Sequence, residues 1–339
     1  MPVILSPRMP APSPDDAAVS AGLSVRLGPL HLAHPIINAS GTMEIFDLAE
    51  VFGEEILKRP PVAAYVSKTV TVEPRDGNPP PRILETAGGM INAIGLSGEG
   101  IDAFTRNRLP RLLRLPCPLI VSAGGFSVDE YTLLASRLRE ALEDAQGSNW
   151  TAKAGLELNI SCPNVKREGM VFGTDPAMAG QVVAAVRQAT SLPLIAKLTP
   201  NVTDITQIAG RAVDAGADAI SLINTLVGMA VDIRRRTPKL ANVTGGLSGP
   251  AIRPVALAMV WKVARQVSVP VIGIGGITTA RDALEFFIAG ATAIQVGTGN
   301  FVDPRTSLDI IEGLGTFLEE EGIESLTDII GSLTIEGQA

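Results

Sequence analysis

Residues 193–225 read PLIAKLTPNVTDITQIAGRAVDAGADAISLINT. Two short apolar runs, Pro193–Leu198 and Ala219–Ile223, flank a segment, Asp204–Ala215, whose apolar residues fall three and four apart. Strand, helix and strand in this order make a βαβ unit, and its crossover sets the two strands parallel. The same unit recurs in both directions. Further strands are expected at Pro35–Ala39, Ala63–Lys68, Pro118–Ala123, Gly155–Ile160, Pro270–Gly275 and Ala291–Gly297. Helical periods run over Tyr131–Ala145, Met178–Ala189, Ile252–Gln266 and Ala280–Ala289. The punctuation agrees: Thr174-Asp175-Pro176 reads as an N-cap followed by a first-turn proline, and Ala-Gly-Ala at 215–217 and 289–291 puts a glycine just past a helix. Eight βα units in roughly 300 residues fit an α/β fold of the (β/α)8 TIM-barrel type. An open doubly wound sheet is the alternative, because strand order is not written in a sequence.

Outside the repeat, Leu23–Leu32 reads as an N-terminal hairpin turning at Gly28-Pro29 and plugging one end of the barrel. Val70–Leu96 and Asn224–Pro250 exceed ordinary connections and are expected as long loops over the C-terminal face. The second contains Arg234-Arg235-Arg236, read as a solvated loop in preference to a docking patch for an acidic partner. Residues 1–22, with five prolines and neither a basic nor a continuous apolar leader, read as a flexible tail ahead of a single domain over 23–339.

Composition removes several function classes. A chain of 339 residues that is 46% hydrophobic buries a large core, and a net charge of -7 has the wrong sign for general phosphate neutralisation on nucleic acid. Two cysteines, Cys117 and Cys162, build neither a disulfide framework nor an iron–sulfur cluster, and the two histidines, His31 and His34, are confined to the first tenth of the chain. No metal site is expected. Gly, Pro and charges break every apolar run before it reaches membrane-spanning length, so a cytoplasmic protein is expected.

Unusual polar and glycine residues cluster where the expected strands end: Ser40, Lys68-Thr69, Ser122, Asn159 through Asn164, Lys197, Asn224-Thr225, Gly275-Gly276 and Gly297-Thr298. In a barrel these ends converge on one face, where barrel enzymes place their chemistry. Paired glycines after strand seven and Gly-Thr after strand eight suit a phosphate grip, while no dinucleotide or P-loop fingerprint occurs, so a mononucleotide or sugar phosphate is the expected ligand class. Lys68 and Lys197 at strand ends suit stabilisation of negative charge, as on a reduced flavin, or the lysine chemistry of a phosphosugar isomerase or synthase. Asn92, Asn159, Asn164 and Asn224 offer amides that both donate and accept, matching a planar heterocycle. With no histidine beyond residue 34, Cys162 is the best base on the face, whereas Cys117 lies at the wrong end.

Several long motifs in order carry a family resemblance: Lys68-Thr69 with Glu73–Arg82, Gly89–Leu96, Glu157–Val165, Lys197–Ile205, Ile223–Leu226 and Gly245–Pro250. The chain resembles the class 1 dihydroorotate dehydrogenases, most closely the catalytic subunit of their NAD-linked B type. The resemblance implies an FMN-binding barrel that oxidises dihydroorotate to orotate in pyrimidine biosynthesis, with Cys162 taking the C5 proton while hydride leaves C6 for flavin N5, and with Lys68 also catalytic. It implies that Ser40, Lys68, Thr69, Ser122, Asn159, Lys197, Ile223, Gly249, Gly275, Gly276, Gly297 and Thr298 hold the flavin. Lys68, Asn92, Ala93, Ile94, Gly95, Leu96, Asn159, Asn164, Asn224 and Thr225 would hold the substrate. It further implies a homodimeric core and a separate subunit bearing FAD and a [2Fe-2S] cluster to reach NAD; the A type would use fumarate without that partner. Two departures stand out, Ser122 in place of Asn and Ser97-Gly98 in place of Gln-Asn.

Overall fold

A computed structural model describes residues 22–146, 152–161 and 172–335. The expected tail falls almost wholly outside these residues, as do Cys162 and Asn164. In chain order the strands are β1 (Val25–Leu27), β2 (Leu30–Leu32), β3 (Ile36–Asn38), β4 (Tyr65–Val66), β5 (Ile83–Thr86), β6 (Gly89–Asn92), β7 (Leu119–Ala123) and β8 (Ala154–Asn159). They continue with β9 (Leu194–Leu198), β10 (Ala219–Leu222), β11 (Leu226–Met229), β12 (Val231–Asp232), β13 (Thr237–Pro238), β14 (Thr244–Ser248), β15 (Val271–Ile274) and β16 (Ala293–Val296).

Eight of them form a parallel sheet in the order β3-β16-β15-β10-β9-β8-β7-β4, each one a strand expected from sequence. The sheet closes between β3 and β4, where Ile37 bridges Ala64 and Ala63 N–H donates to the Ile36 carbonyl at 2.9 Å. The Asn38 side chain completes that seam: its amide nitrogen donates to the Val66 carbonyl at 2.8 Å and its carbonyl accepts from Val66 N–H at 2.8 Å. A fully buried amide thus stands in for a missing backbone pair. The closed sheet is the (β/α)8 barrel, and the open doubly wound alternative falls.

Helices pack outside on their apolar stripes. In the helix Val128–Gln146 the buried residues Tyr131, Leu134, Ala135, Leu138 and Leu142 recur at helical spacing; in Pro176–Ala189 they are Ala179, Val182, Val183 and Val186. The Pro176–Ala189 helix starts as expected, with the Asp175 carboxylate accepting from Met178 N–H at 2.9 Å. The hairpin β1–β2 pairs Leu27 with Leu30 around Gly28. Leu30 reaches Gly155 at the foot of β8, and Gly28 sits beside Asp218 just before β10, so the hairpin plugs the N-terminal end.

One expectation is corrected. The stretches Val70–Leu96 and Asn224–Pro250 are not only loops: they contribute β5, β6, β11 and β14 to a four-stranded antiparallel sheet, ordered β11-β14-β6-β5, with β12–β13 as a small ribbon. Residues paired across this sheet share a face, and one face carries Ile83, Asn92, Gly246 and Val227 in register. The opposite face holds a second small core of Ile91, Ala93 and Leu240, with Leu84, Ala230 and Leu247 against it. The sheet is a roof over the C-terminal mouth of the barrel.

Candidate active site

Between roof and barrel lies a cavity of about 640 Å³, within the range of small-molecule sites. Its lining gathers the ends of the barrel strands: Ser40 after β3, Lys68 and Thr69 after β4, Asn159 on β8, Lys197 on β9, Ile223 and Asn224 after β10, Gly275 and Gly276 after β15, and Gly297 and Thr298 after β16. The roof supplies Asn92, Ile94, Gly95, Leu96, Thr225 and Gly249. Seventeen residues expected on separate grounds therefore face one space. Ser122 is not on the lining: it is fully buried, with its hydroxyl 3.0 Å from Thr69 Oγ1, and so supports the lining from behind. Ala93 is buried in the roof's own core, where its carbonyl accepts from Asn78 Nδ2 at 2.9 Å. Cys162 and Asn164 lie outside the described residues, immediately beyond Ser161, whose hydroxyl donates to the Lys197 carbonyl.

One wall is a polar relay. Ser40 Oγ donates to the Ser67 carbonyl at 2.9 Å and lies 3.2 Å from Thr69 Oγ1; Asn159 Nδ2 donates to Thr69 Oγ1 at 3.3 Å. Asn224 Nδ2 then donates to Asn159 Oδ1 at 3.2 Å, and Thr225 N–H donates to Asn224 Oδ1 at 2.8 Å. Each amide has its orientation fixed by its neighbour, so it presents a defined donor or acceptor to the cavity.

A second wall is made of backbone. Gly249, Gly275 and Gly276 have φ of +97°, +138° and +71°, and a Cβ on Gly276 would stand 2.7 Å from the Gly249 carbonyl oxygen. Only glycine permits that close approach of two loops. Thr298 Oγ1 donates to Ser248 Oγ at 2.8 Å, tying this wall to the roof.

Cations approach from two sides. Lys68 reaches the mouth, where its ammonium donates to Ser97 Oγ at 3.0 Å. Partial burial, and next the Arg108 and Arg82 guanidinium groups, hold its pKa below the usual lysine value. Lys197 rises through the floor, almost entirely buried, with Nζ 3.6 Å from Glu157 Oε1. Cys117, in contrast, sits at the foot of β7 beside Pro116 and Lys153, and burial pushes its thiol up to about 11.

The Glu73–Arg82 motif braces the Ala93–Gly98 edge of the roof. Asn78 N–H donates to the Ile94 carbonyl at 2.9 Å, Arg82 accepts from Ala93 N–H at 2.8 Å, and Arg75 and Gly98 exchange both backbone bonds. The approach is tight enough that a Cβ on Gly77 would lie 2.3 Å from the Ile94 oxygen. Leu96, with φ of +56°, ends this segment in a left-handed conformation rare for a side chain of its size. Sequence reasoning missed Met90, Gly246, Ser248 and Thr42, which also line the cavity. Three of them lie in or beside the glycine-rich roof motifs, and that was the only available signal.

The family model described as Dihydroorotate dehydrogenase matches residues 22–318. The chain belongs to the dihydroorotate dehydrogenase family. Relatives within it are called dihydroorotate dehydrogenase B (NAD(+)), catalytic subunit. The one from Pelobacter propionicus is 54% identical over 312 residues, spanning 92% of this chain and 98% of the relative. Those from Geotalea uraniireducens and Trichlorobacter lovleyi are 53% and 54% identical, over the same shares of each chain. The resemblance to the B type of dihydroorotate dehydrogenase thus extends over nearly the whole chain. Among the described residues no cluster of three or more His, Cys, Asp or Glu could hold a metal, and no helix is long and apolar enough to cross a membrane.

Proposed function

We propose that this chain is the catalytic subunit of a B-type dihydroorotate dehydrogenase, oxidising (S)-dihydroorotate to orotate with FMN in pyrimidine biosynthesis. The observation that carries the reading is the convergence of Lys68, Asn92, Asn159, Lys197, Asn224 and the glycines Gly249, Gly275 and Gly276 on one cavity. The residues fit FMN. Backbone N–H groups of the glycine wall and Thr298 suit its phosphate, the amide relay suits its alternating ring N–H and carbonyl groups, and Lys197 suits its N1/O2 edge. When bound, FMN would supply the acceptor for the hydride that leaves C6 of the substrate.

The chain's own residues do the rest. Lys68, Asn92, the Ile94–Leu96 backbone, Asn159, Asn164, Asn224 and Thr225 hold the substrate's carboxylate and imide groups against the cofactor. Cys162, as thiolate, takes the C5 proton; general-base help of this kind is worth about 10²–10⁴-fold. Lys197 places positive charge where negative charge develops, and the roof excludes water. In sequence Cys162 is three positions past Asn159, the end of β8 that lines the cavity, and this supports its role.

Passage of electrons to NAD would fall to a separate subunit bearing FAD and a [2Fe-2S] cluster, with two copies of this chain as the core of the assembly, in the cytoplasm. The described residues supply no cysteine cluster for such a centre, and the relatives' name, catalytic subunit, supports a divided enzyme. The test is anaerobic addition of dihydroorotate to the purified FMN-loaded chain while flavin absorbance is followed. Bleaching is expected, with reoxidation by NAD only when the partner subunit is added. A flavin that stays oxidised refutes the activity, and rapid reoxidation by fumarate alone refutes the B-type assignment.

A further inference from the structure

Beneath the cavity floor, β8, β9, β10 and β16 turn Glu157, Lys197, Ser221 and Gln295 toward one another inside the barrel. Glu157 is fully buried. Its Oε2 accepts from Ser221 Oγ at 3.1 Å and from Gln295 Nε2 at 2.7 Å. Its Oε1 makes no hydrogen bond and faces Lys197 Nζ at 3.6 Å.

A buried carboxylate is a costly occupant of a barrel core, and an apolar residue of similar size would stabilise the fold at least as well. Around it the strands are built of such residues, including Leu156, Leu158, Ile195 and Ile294. The Ser221 and Gln295 donors have no evident use other than to hold this carboxylate still. They fix Oε2 and leave Oε1 for Lys197, a cation that also lines the cavity.

We infer that Glu157 is a positioning residue: it fixes the Lys197 ammonium at the cavity floor and offsets part of its charge, so setting how strongly the site favours reduced flavin. The inference rests on the proposed FMN site and adds a determinant to it. With Glu157 neutralised, Lys197 acts on the cofactor uncompensated, and the negatively charged reduced form gains.

The readout is the FMN midpoint potential, measured by equilibration with a reference dye, in the wild type, Glu157→Gln and Glu157→Asp. In Glu157→Gln the reduced-to-oxidised ratio at fixed poise is expected to rise about tenfold, about 30 mV for a two-electron couple. Glu157→Asp keeps the charge but withdraws it by one methylene, and is expected to fall between the two. In a Lys197→Met background, Glu157→Gln should lose most of its effect, because the carboxylate acts through the ammonium.

An unchanged potential in FMN-loaded Glu157→Gln overturns the inference, as does a shift that persists in full without Lys197. If Glu157→Gln does not fold, a wild-type potential in Glu157→Asp overturns it. Failure of dihydroorotate to bleach the wild-type flavin is a separate result that refutes the functional reading itself.

Discussion

Asn38→Ala tests the closure of the barrel and, through it, the site. The substitution removes both side-chain bonds to Val66, each 2.8 Å long, at a seam where β3 and β4 otherwise meet through Ile37–Ala64 and the Ala63–Ile36 bond. Val66 is fully buried, so its N–H and carbonyl lose their only partners without gaining water. At about 1–3 kcal/mol for each of the two stranded groups, the loss is about 2–6 kcal/mol. For a chain of this size about 2 °C of melting temperature corresponds to each kcal/mol, giving a fall of about 4–12 °C. Ala39 and Lys68 are the first cavity residues beyond the two seam strands, and Ser40 bonds the Ser67 carbonyl across the same gap. If about 1.4 kcal/mol of the seam's loss is felt by bound FMN, its dissociation constant rises about tenfold. Thermal unfolding followed by circular dichroism, with FMN release read by fluorescence, measures both. A melting temperature within 1 °C of wild type, taken as the assay's ~1 °C resolution, would refute the claim that the amide closes the barrel.

Further outcomes are expected at the site. Cys162→Ala should fold and keep FMN but reduce it about 10²–10⁴-fold more slowly in stopped flow, and an unchanged rate removes Cys162 from the mechanism. Because burial and then Arg108 and Arg82 lower the Lys68 pKa, its ammonium is lost at a lower pH than an ordinary lysine's. KM for dihydroorotate should therefore climb on the alkaline side before the usual lysine range, and Lys68→Met should abolish that limb. The stability sign is opposite: the unfolded chain holds this proton more tightly, so the group weighs against folding at neutral pH and the penalty is relieved as pH rises through the depressed value toward the ordinary one. Gly77→Ala places a methyl at 2.3 Å from the Ile94 oxygen at a φ of +79°. With strain of about 1–3 kcal/mol, KM should rise roughly 5- to 150-fold with FMN retained, and a normal KM denies the Glu73–Arg82 segment its bracing role.

The barrel was legible because its signal is local. Each strand is a short apolar run beside a helix of clear period, and Pro193–Leu198, for instance, is observed as Leu194–Leu198. The observed β4, Tyr65–Val66, is much shorter than the expected Ala63–Lys68, because a side chain, Asn38, takes over part of its pairing. The roof was not legible. Gly89–Asn92 and Thr244–Ser248 carry few β-branched residues, and their strand character comes from pairing partners some 150 positions apart, such as Asn92 with Gly246. Strand-end position put Lys68, Asn159 and Lys197 on the face that lines the cavity, since convergence of barrel strand ends follows from topology alone. Glu157 escaped notice as a site residue because a lone acid inside an apolar strand reads as a solvent-facing position until closure of the sheet turns it inward. Ser122 is a neighbour to the lining instead of part of it, since Thr69 stands between it and the cavity.

The roof's private apolar cluster of Ile91, Ala93 and Leu240 has a consequence for how the molecule divides its labour. On the proposed reading, the surface that would meet the substrate draws its cohesion largely from this small cluster, while the walls that would hold the cofactor rest on the barrel core, and Leu247 touches both. Variation among those three residues and their neighbours can therefore re-tailor what is admitted without disturbing the electron-accepting machinery below, and slow amide exchange should persist in the barrel after the roof has begun to breathe.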